Sequence, residues 1–303
     1  MPGATVDSAA FARLPSPQVA DAMLGQRIVT AVVLLALLVP ALVADPAWPF
    51  LGLTLALVGA AAWEWGRLNA CRQGMSLALA AALVAACGLA WSAGWVDAAP
   101  ASVWWLASGL WVVGGVLALR GGPAAWPGLP SALRVVLGLI ALGSAWLALA
   151  ASRAVGLGFI LSVLCVVWVS DIAAYAGGRA FGRHKLAPSI SPGKSWEGVA
   201  AGLLGVALLA IAWLAWERAA PGRGPSLFSA IAGSAGWLAG ALLLAGITGM
   251  GVVGDLVESM AKRAAGVKDS SRLLPGHGGV LDRIDALLPV LPIAMVSSRW
   301  GQG

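Results

Sequence analysis

Between Asp255 and Asp285 the chain sets down ten of its 32 charged residues in about a tenth of its 303 residues, and their spacing suits chemistry. Asp255, Glu258 and Lys262 stand three and four residues apart, which stacks them on one helix face beside Ser259 and Arg263. Asp282 and Asp285, again three apart, close the stretch PGHGGVLDRID. Carboxylates converging from two helices suit a hard divalent cation such as Mg2+, which takes oxygen ligands and shares them with substrate phosphates. Lysine and arginine supply counter-charge and hydrogen bonds to phosphate. The glycines around His277 let backbone N–H groups approach an anion, although PGHGG alone is a turn signal. The chemistry these residue types point to is metal-assisted handling of phosphates, with Asp255, Glu258 and Asp282 as candidate metal ligands.

A second charged segment is SDIAAYAGGRAFGRHKLAPSISPGKSWEG, residues 170–198. Its GKS does not belong to a Walker A loop, because the earlier glycine that motif needs would be Pro188. What remains is Asp171 at a helix end with Tyr175 one turn on, a basic run through Arg179, Arg183, His184 and Lys185, and a turn that opens the next helix. Two readings of that turn stand side by side. In one, Ser195 and Glu197 cap the helix. In the other, Lys194 and Ser195 are donors facing an anion at its N-terminus.

These residues must be held by apolar elements, for the chain is 60% hydrophobic and only 11% charged. A soluble domain carries about 25% charged residues, so the apolar excess must face lipid. Cys71, Cys87 and Cys165 are odd in number and form no CxxC pair, which predicts free, inert thiols. The 19 basic residues form no single block, which argues against a nucleic-acid partner.

Runs free of charge predict the spans, since a spanning helix needs roughly 17 to 25 apolar residues. Eight qualify: 28–44, 46–63, 73–96, 98–119, 135–152, 154–170, 198–216 and 224–254. A ninth, 286–298, has 13 residues and two prolines. The run 121–133, rich in Pro and Gly, reads as a loop. The expected fold is all-α, a polytopic integral membrane protein of eight to nine transmembrane helices, nine preferred. Residues 1–27 form a cytoplasmic tail, 28–152 the N-terminal helices and 153–303 the catalytic region. With the loops assigned alternately, 15 of the 19 Lys and Arg fall on one side, which the positive-inside rule makes cytoplasmic together with the N-terminus. Helix should run on past the uncharged stretch through Asp255, and acids near membrane depth are functional candidates.

Residues 259–285, SMAKRAAGVKDSSRLLPGHGGVLDRID, resemble the signature of the phosphatidate cytidylyltransferases, or CDP-diacylglycerol synthases: a Ser, then KR, KD, LPGHGG and DRID at fixed spacings. The resemblance extends to the 170–198 segment and GDLVESMAKR, and more loosely to AAWEWGRL at 61–68. It implies an enzyme of a bacterial-type inner membrane, its site facing the cytoplasm, that joins CTP to phosphatidic acid with release of pyrophosphate. It further implies Mg2+, a K+ as second ion and a homodimer. Asp255 and Asp282 would bind the metal centre, with Lys262 beside it. Lys194, Ser195, Arg263 and Lys268 would bind phosphates. His277, Gly278 and Gly279 would shape the pocket, and Asp171, Asp269 and Arg283 complete the expected substrate-binding set. Two other readings remain: a transporter, since acids at membrane depth also mark ion pathways, and another CTP-using lipid kinase or cytidylyltransferase.

Overall fold

The computed structural model describes residues 17–220, 222 and 224–299. The first sixteen residues of the expected tail lie outside that description. Twelve helices follow in chain order: α1 (Pro17–Val43), α2 (Trp48–Leu68), α3 (Gln73–Ser92), α4 (Trp95–Ala98), α5 (Ala101–Gly109), α6 (Val116–Ala125), α7 (Ser131–Val155), α8 (Leu157–Phe181), α9 (Trp196–Ala219), α10 (Leu227–Ala264), α11 (Leu281–Ile284) and α12 (Leu287–Arg299). A wide π-type turn, Leu110–Gly115, joins α5 to α6 into one continuous span. The expected loop at 121–133 is instead mostly helical: α6 runs to Ala125, bent at Gly122, whose φ of 65° breaks the helix, and a short 3-10 turn follows. Among the described residues the helices are interrupted by a small antiparallel hairpin of β1 (Lys185–Ala187) and β2 (Ser191–Ser195), formed where the sequence reading placed turns, and by an isolated bridge between Leu274 and Gly278.

Among the described residues, seven helices are long and apolar enough to cross a membrane: Gly25–Val43, Gln73–Ser92, Ala101–Gly128, Ser131–Val155, Leu157–Phe181, Trp196–Ala219 and Gly236–Ala264. They show broad apolar faces outward; Leu106, Ile172, Leu204, Leu238 and Trp237 are all well exposed. Two helices do a different job. α2 carries Glu64 and Arg67 in its last two turns, and its core-facing side is buried. α12 has 13 residues and lies among α5, α7 and α10 with Val290, Leu291, Ala294 and Met295 buried. At 1.5 Å per residue it is about 20 Å long, short of a hydrocarbon core of about 30 Å. Hydrophobicity in α12 therefore serves the protein interior.

Small residues set how closely the helices approach. α8 and α9 meet along Gly177, Gly198, Gly202 and Gly205; a Cβ on Gly177 would lie 2.3 Å from that of Ala201. Close backbone approach of this kind replaces the hydrophobic drive that lipid cannot supply between helices. α10 and α12 cross at Gly254, where a Cβ would lie 2.4 Å from the carbonyl oxygen of Asp285. α10 itself is bent at Gly236 and then runs unbroken through Asp255 to Ala264, as its sequence leads one to expect.

The two ends of the bundle differ. At one, Arg153 donates to the carbonyls of Leu42 and Ala44 (2.7 and 3.2 Å) and closes the C-terminus of α1. At the other, Arg27 donates to the carbonyl of Gly276 (3.1 Å) and Thr30 to that of Pro275 (2.8 Å). Arg27 and Leu42 are fifteen residues apart on one helix, so these ends are about 22 Å apart. The three cysteines are free, Cys87 buried and the other two partly so.

Candidate functional site

The last turns of α10 form the floor of the site. Asp255, Glu258 and Lys262 rise on one face, and Lys262 Nζ lies 2.5 Å from Glu258 Oε2 and 2.6 Å from Asp282 Oδ1. The side chains of Lys262, Glu258 and Asp282 are each at most 10% exposed, so one ammonium is shared between two buried carboxyl groups. Asp255, a turn nearer the membrane interior, is 2.6 Å through Oδ2 from Lys194 Nζ, and its Oδ1 accepts from Ser259 Oγ at 3.2 Å. Asp171 on α8 sits within the electrostatic field of both Asp255 and Lys194. Asp285 feels Asp255, Lys262 and Lys194. Burial, and then the charge of Asp255, hold its carboxyl well above the usual carboxylate range. Residues 171, 194, 255, 258, 262, 282 and 285, from four separate stretches of chain, thus share one charged nest.

Asp282 is the most heavily bonded member. Besides Lys262, its Oδ2 accepts from the Ser270 amide at 3.0 Å, the Ser270 hydroxyl at 3.0 Å and the Gly279 amide at 2.7 Å. Burial opposes its charge, but Lys262 and the Gly279 N–H outweigh burial and hold the carboxyl at about 2. The loop is built for this. Gly278 adopts φ 84°, open to glycine at little cost, and a Cβ there would lie 2.7 Å from Asp282 Oδ2. Its carbonyl accepts from the Leu274 amide at 2.8 Å, closing the turn.

Glu64 is the site residue that sequence reasoning missed. It reaches the loop from α2, is fully buried, and accepts from Ser271 Oγ (2.5 Å), Leu281 N (2.7 Å), Val280 N (2.9 Å) and Ser270 Oγ (3.1 Å). A Cβ on Gly279 would fall 2.0 Å from Ser270 Oγ and 2.5 Å from Glu64 Oε1, so only glycine fits between them. A carboxylate inside the apolar AAWEWGRL was the available signal, since a buried acid needs partners. Arg27 and Thr30, which grip the same turn, carry no comparable mark.

The remaining predicted residues are placed as follows. Ser195 is buried and caps α9, accepting from the Gly198 amide at 3.2 Å. Glu197 turns instead to the hairpin, accepting from the Arg183 and His184 amides and lying 2.6 Å from His184 Nδ1. Arg263 donates to the carbonyls of Ile190 and Val267, tying α10 to the hairpin turn. Arg283 donates to the carbonyl of His277. His277 and Gly278 are partly buried and Gly279 is buried, whereas Lys268 and Asp269 are exposed on the loop.

Carboxylate oxygens paired with lysines at a helix-bundle end make a site that can exchange internal ion pairs for contacts with an anionic substrate. Among the described residues no three Asp, Glu, His or Cys side chains are arranged to hold a metal by themselves. Mg2+ commonly takes one or two carboxylates and completes its shell with phosphate oxygens and water. The donor set here, all hard oxygen, suits that ion.

Fold and site together define a polytopic helical membrane protein with a nest of carboxylates and lysines at one end of its bundle. The family is then specific: residues 25–299 match the model of the cytidylyltransferase family, and the chain belongs to it. Similar proteins include the phosphatidate cytidylyltransferase of Pseudomonas aeruginosa, 40% identical over 290 residues that cover 92% of this chain and 99% of that one. Those of Haemophilus influenzae and Brucella suis are 45% and 44% identical over 137 and 129 residues, covering 45% and 43% of this chain and 44% and 42% of theirs.

Proposed function

We propose that this chain is the enzyme that transfers the cytidylyl group of CTP to phosphatidic acid, giving CDP-diacylglycerol and pyrophosphate. The observation that carries the reading is the convergence of Lys194–Asp255 and Lys262–Asp282 ion pairs in one nest at the end of lipid-facing helices. The full-length similarity to a phosphatidate cytidylyltransferase supports it. A lipid headgroup and a soluble nucleotide can meet only where both solvents are at hand.

In the proposed reaction a phosphate oxygen of phosphatidate attacks the α-phosphorus of CTP in line. A new P–O bond forms as the bond between the α-phosphorus and the bridging oxygen breaks, and pyrophosphate leaves with that electron pair. The nucleophile is already anionic, so no general base is required. Lys194 and Lys262, released from their carboxylates, orient and neutralise phosphate oxygens, and Lys268 is positioned to meet the nucleotide from the exposed loop. Arg263, Arg283 and the buried Ser195 hold the hairpin, the glycine turn and α9 in register around them. Asp255 and Asp282 would hold Mg2+, which would supply charge neutralisation on the phosphates, with Glu258 behind them on Lys262. A K+ as second ion and a homodimeric assembly complete the proposal on family resemblance. The orientation that goes with it puts the nest and the N-terminus in the cytoplasm of a bacterial inner membrane, with α2 and α12 counted towards nine membrane-embedded helices.

The test is pyrophosphate release by purified protein given labelled CTP, phosphatidate and Mg2+, set against a panel of other lipid phosphates and alcohols. Formation of CDP-diacylglycerol from phosphatidate is expected; labelled phosphate appearing on a lipid alcohol instead would make the chain a kinase. Asp282→Asn should abolish turnover while the protein still inserts, and retained activity would remove Asp282 from the centre.

A further inference from the structure

We propose that Glu64 and Ser270 form a positioning relay for Asp282. Glu64, fixed on α2, orients the Ser270 hydroxyl, and Ser270 in turn fixes the Asp282 carboxylate that faces Lys262. The proposal rests on the reading that Asp282 serves cytidylyl transfer. Its geometry is independent of that reading. Ser270 Oγ lies 3.1 Å from Glu64 Oε2 and 3.0 Å from Asp282 Oδ2, so a single hydroxyl proton faces two carboxylates. The Ser270 amide also donates to Asp282. Both carboxylates are therefore coupled through one residue, and moving either changes the bond available to the other.

A simpler role for Glu64 would be to fasten α2 to the loop. Its bonds to the amides of Val280 and Leu281 and to Ser271 do that. Ser271 supplies the contrast: it donates to Glu64 at 2.5 Å but makes no bond to Asp282. If Glu64 only fastens, the losses from Glu64→Gln and Ser270→Ala should be independent and multiply in the pair. If it acts through Ser270, only that hydroxyl should matter to the reaction. The packing around Gly279, where any Cβ would strike both Ser270 Oγ and Glu64 Oε1, keeps the serine in this bridging position.

The experiment compares Glu64→Gln, Ser270→Ala, Ser271→Ala and the Glu64→Gln/Ser270→Ala pair in full-length protein reconstituted in lipid. It measures kcat, KM for CTP and hydrogen exchange of residues 268–281. Residues that orient a reactive group cost about 10- to 100-fold when removed. Ser270→Ala and Glu64→Gln should each lower kcat by that factor with KM for CTP changed less. The pair should lose no more than the worse single variant, the sign of one shared pathway. Ser271→Ala should stay within about fivefold of wild type, the worth of one ordinary hydrogen bond. Exchange at the 270 and 279 amides should quicken in Ser270→Ala and not in Ser271→Ala. Equal losses for the two serines, multiplicative losses in the pair, or unchanged exchange in Ser270→Ala would each overturn the relay. Should Glu64→Gln fail to insert, Glu64→Asp, which keeps the charge but shortens its reach to Ser270, takes its place in the single and paired variants. The exchange readout needs no turnover, so it tests the relay even if wild type makes no CDP-lipid, a result that would sink the transferase reading instead.

Discussion

Lys262 shows how a single side chain can hold a site together. Its ammonium lies against Glu258 and Asp282, both nearly dry. Lys262→Met would leave two buried carboxylates facing each other with no counter-ion. Breaking a buried pair by removing one partner typically costs about 3–5 kcal/mol. We expect Lys262→Met to lower the thermal unfolding midpoint in detergent and to remove turnover. A variant as stable as wild type would show that the loop bonds to Asp282 hold the site without the ammonium. The sequence spacing of 255, 258 and 262 made this face legible, because i, i+3 and i+4 geometry is local and needs no fold. Spacing alone did not show Asp282 as the partner of Lys262, since the nineteen residues between them pass through a loop held by α1 and α2.

At the scale of elements, glycines decide which backbones touch. Gly254 brings α10 against the chain at Asp285 and Pro289, which sets Asp285 within the field of Asp255. Gly254→Ala would force a methyl to within 2.4 Å of the Asp285 carbonyl oxygen. Overpacking of this kind costs about 1–3 kcal/mol. It should lower turnover more than it lowers stability, because the displaced segment carries Asp282 and Asp285. Steady-state kinetics beside a thermal melt will check this, and parallel losses in both would assign Gly254 to packing alone. Helix α12 illustrates what span counting misses. Its prolines and short apolar run raise the question of a ninth crossing; it packs among α5, α7 and α10, and an apolar run reads the same whether it meets lipid or protein. Trp behaves likewise: Trp104 and Trp146 are buried in helix contacts, while Trp237 and Trp105 face outward.

For the whole molecule, the two ends of the bundle carry different chemistry, and the basic residues concentrate at the end with the nest. Replacing the three native cysteines and introducing Lys268→Cys or Ala220→Cys gives one reporter on each end. A membrane-impermeant maleimide should label position 268 only from the cytoplasmic side and position 220 only from the other. Labelling of both from one side would overturn the proposed topology.

Composition and charge spacing by themselves determined that this chain is helical, embedded and armed with acids and lysines near its C-terminus, because lipid solvation and helix periodicity act on residues within a few turns of one another. The tertiary structure alone decided which carboxylate meets which lysine, that Glu64 enters the site from the other half of the chain, and that a hairpin stands where turns were expected. Those contacts join positions up to 217 residues apart, such as Glu64 and Leu281. Their existence depends on how closely glycine-lined helices approach, a distance set only when every helix is in place.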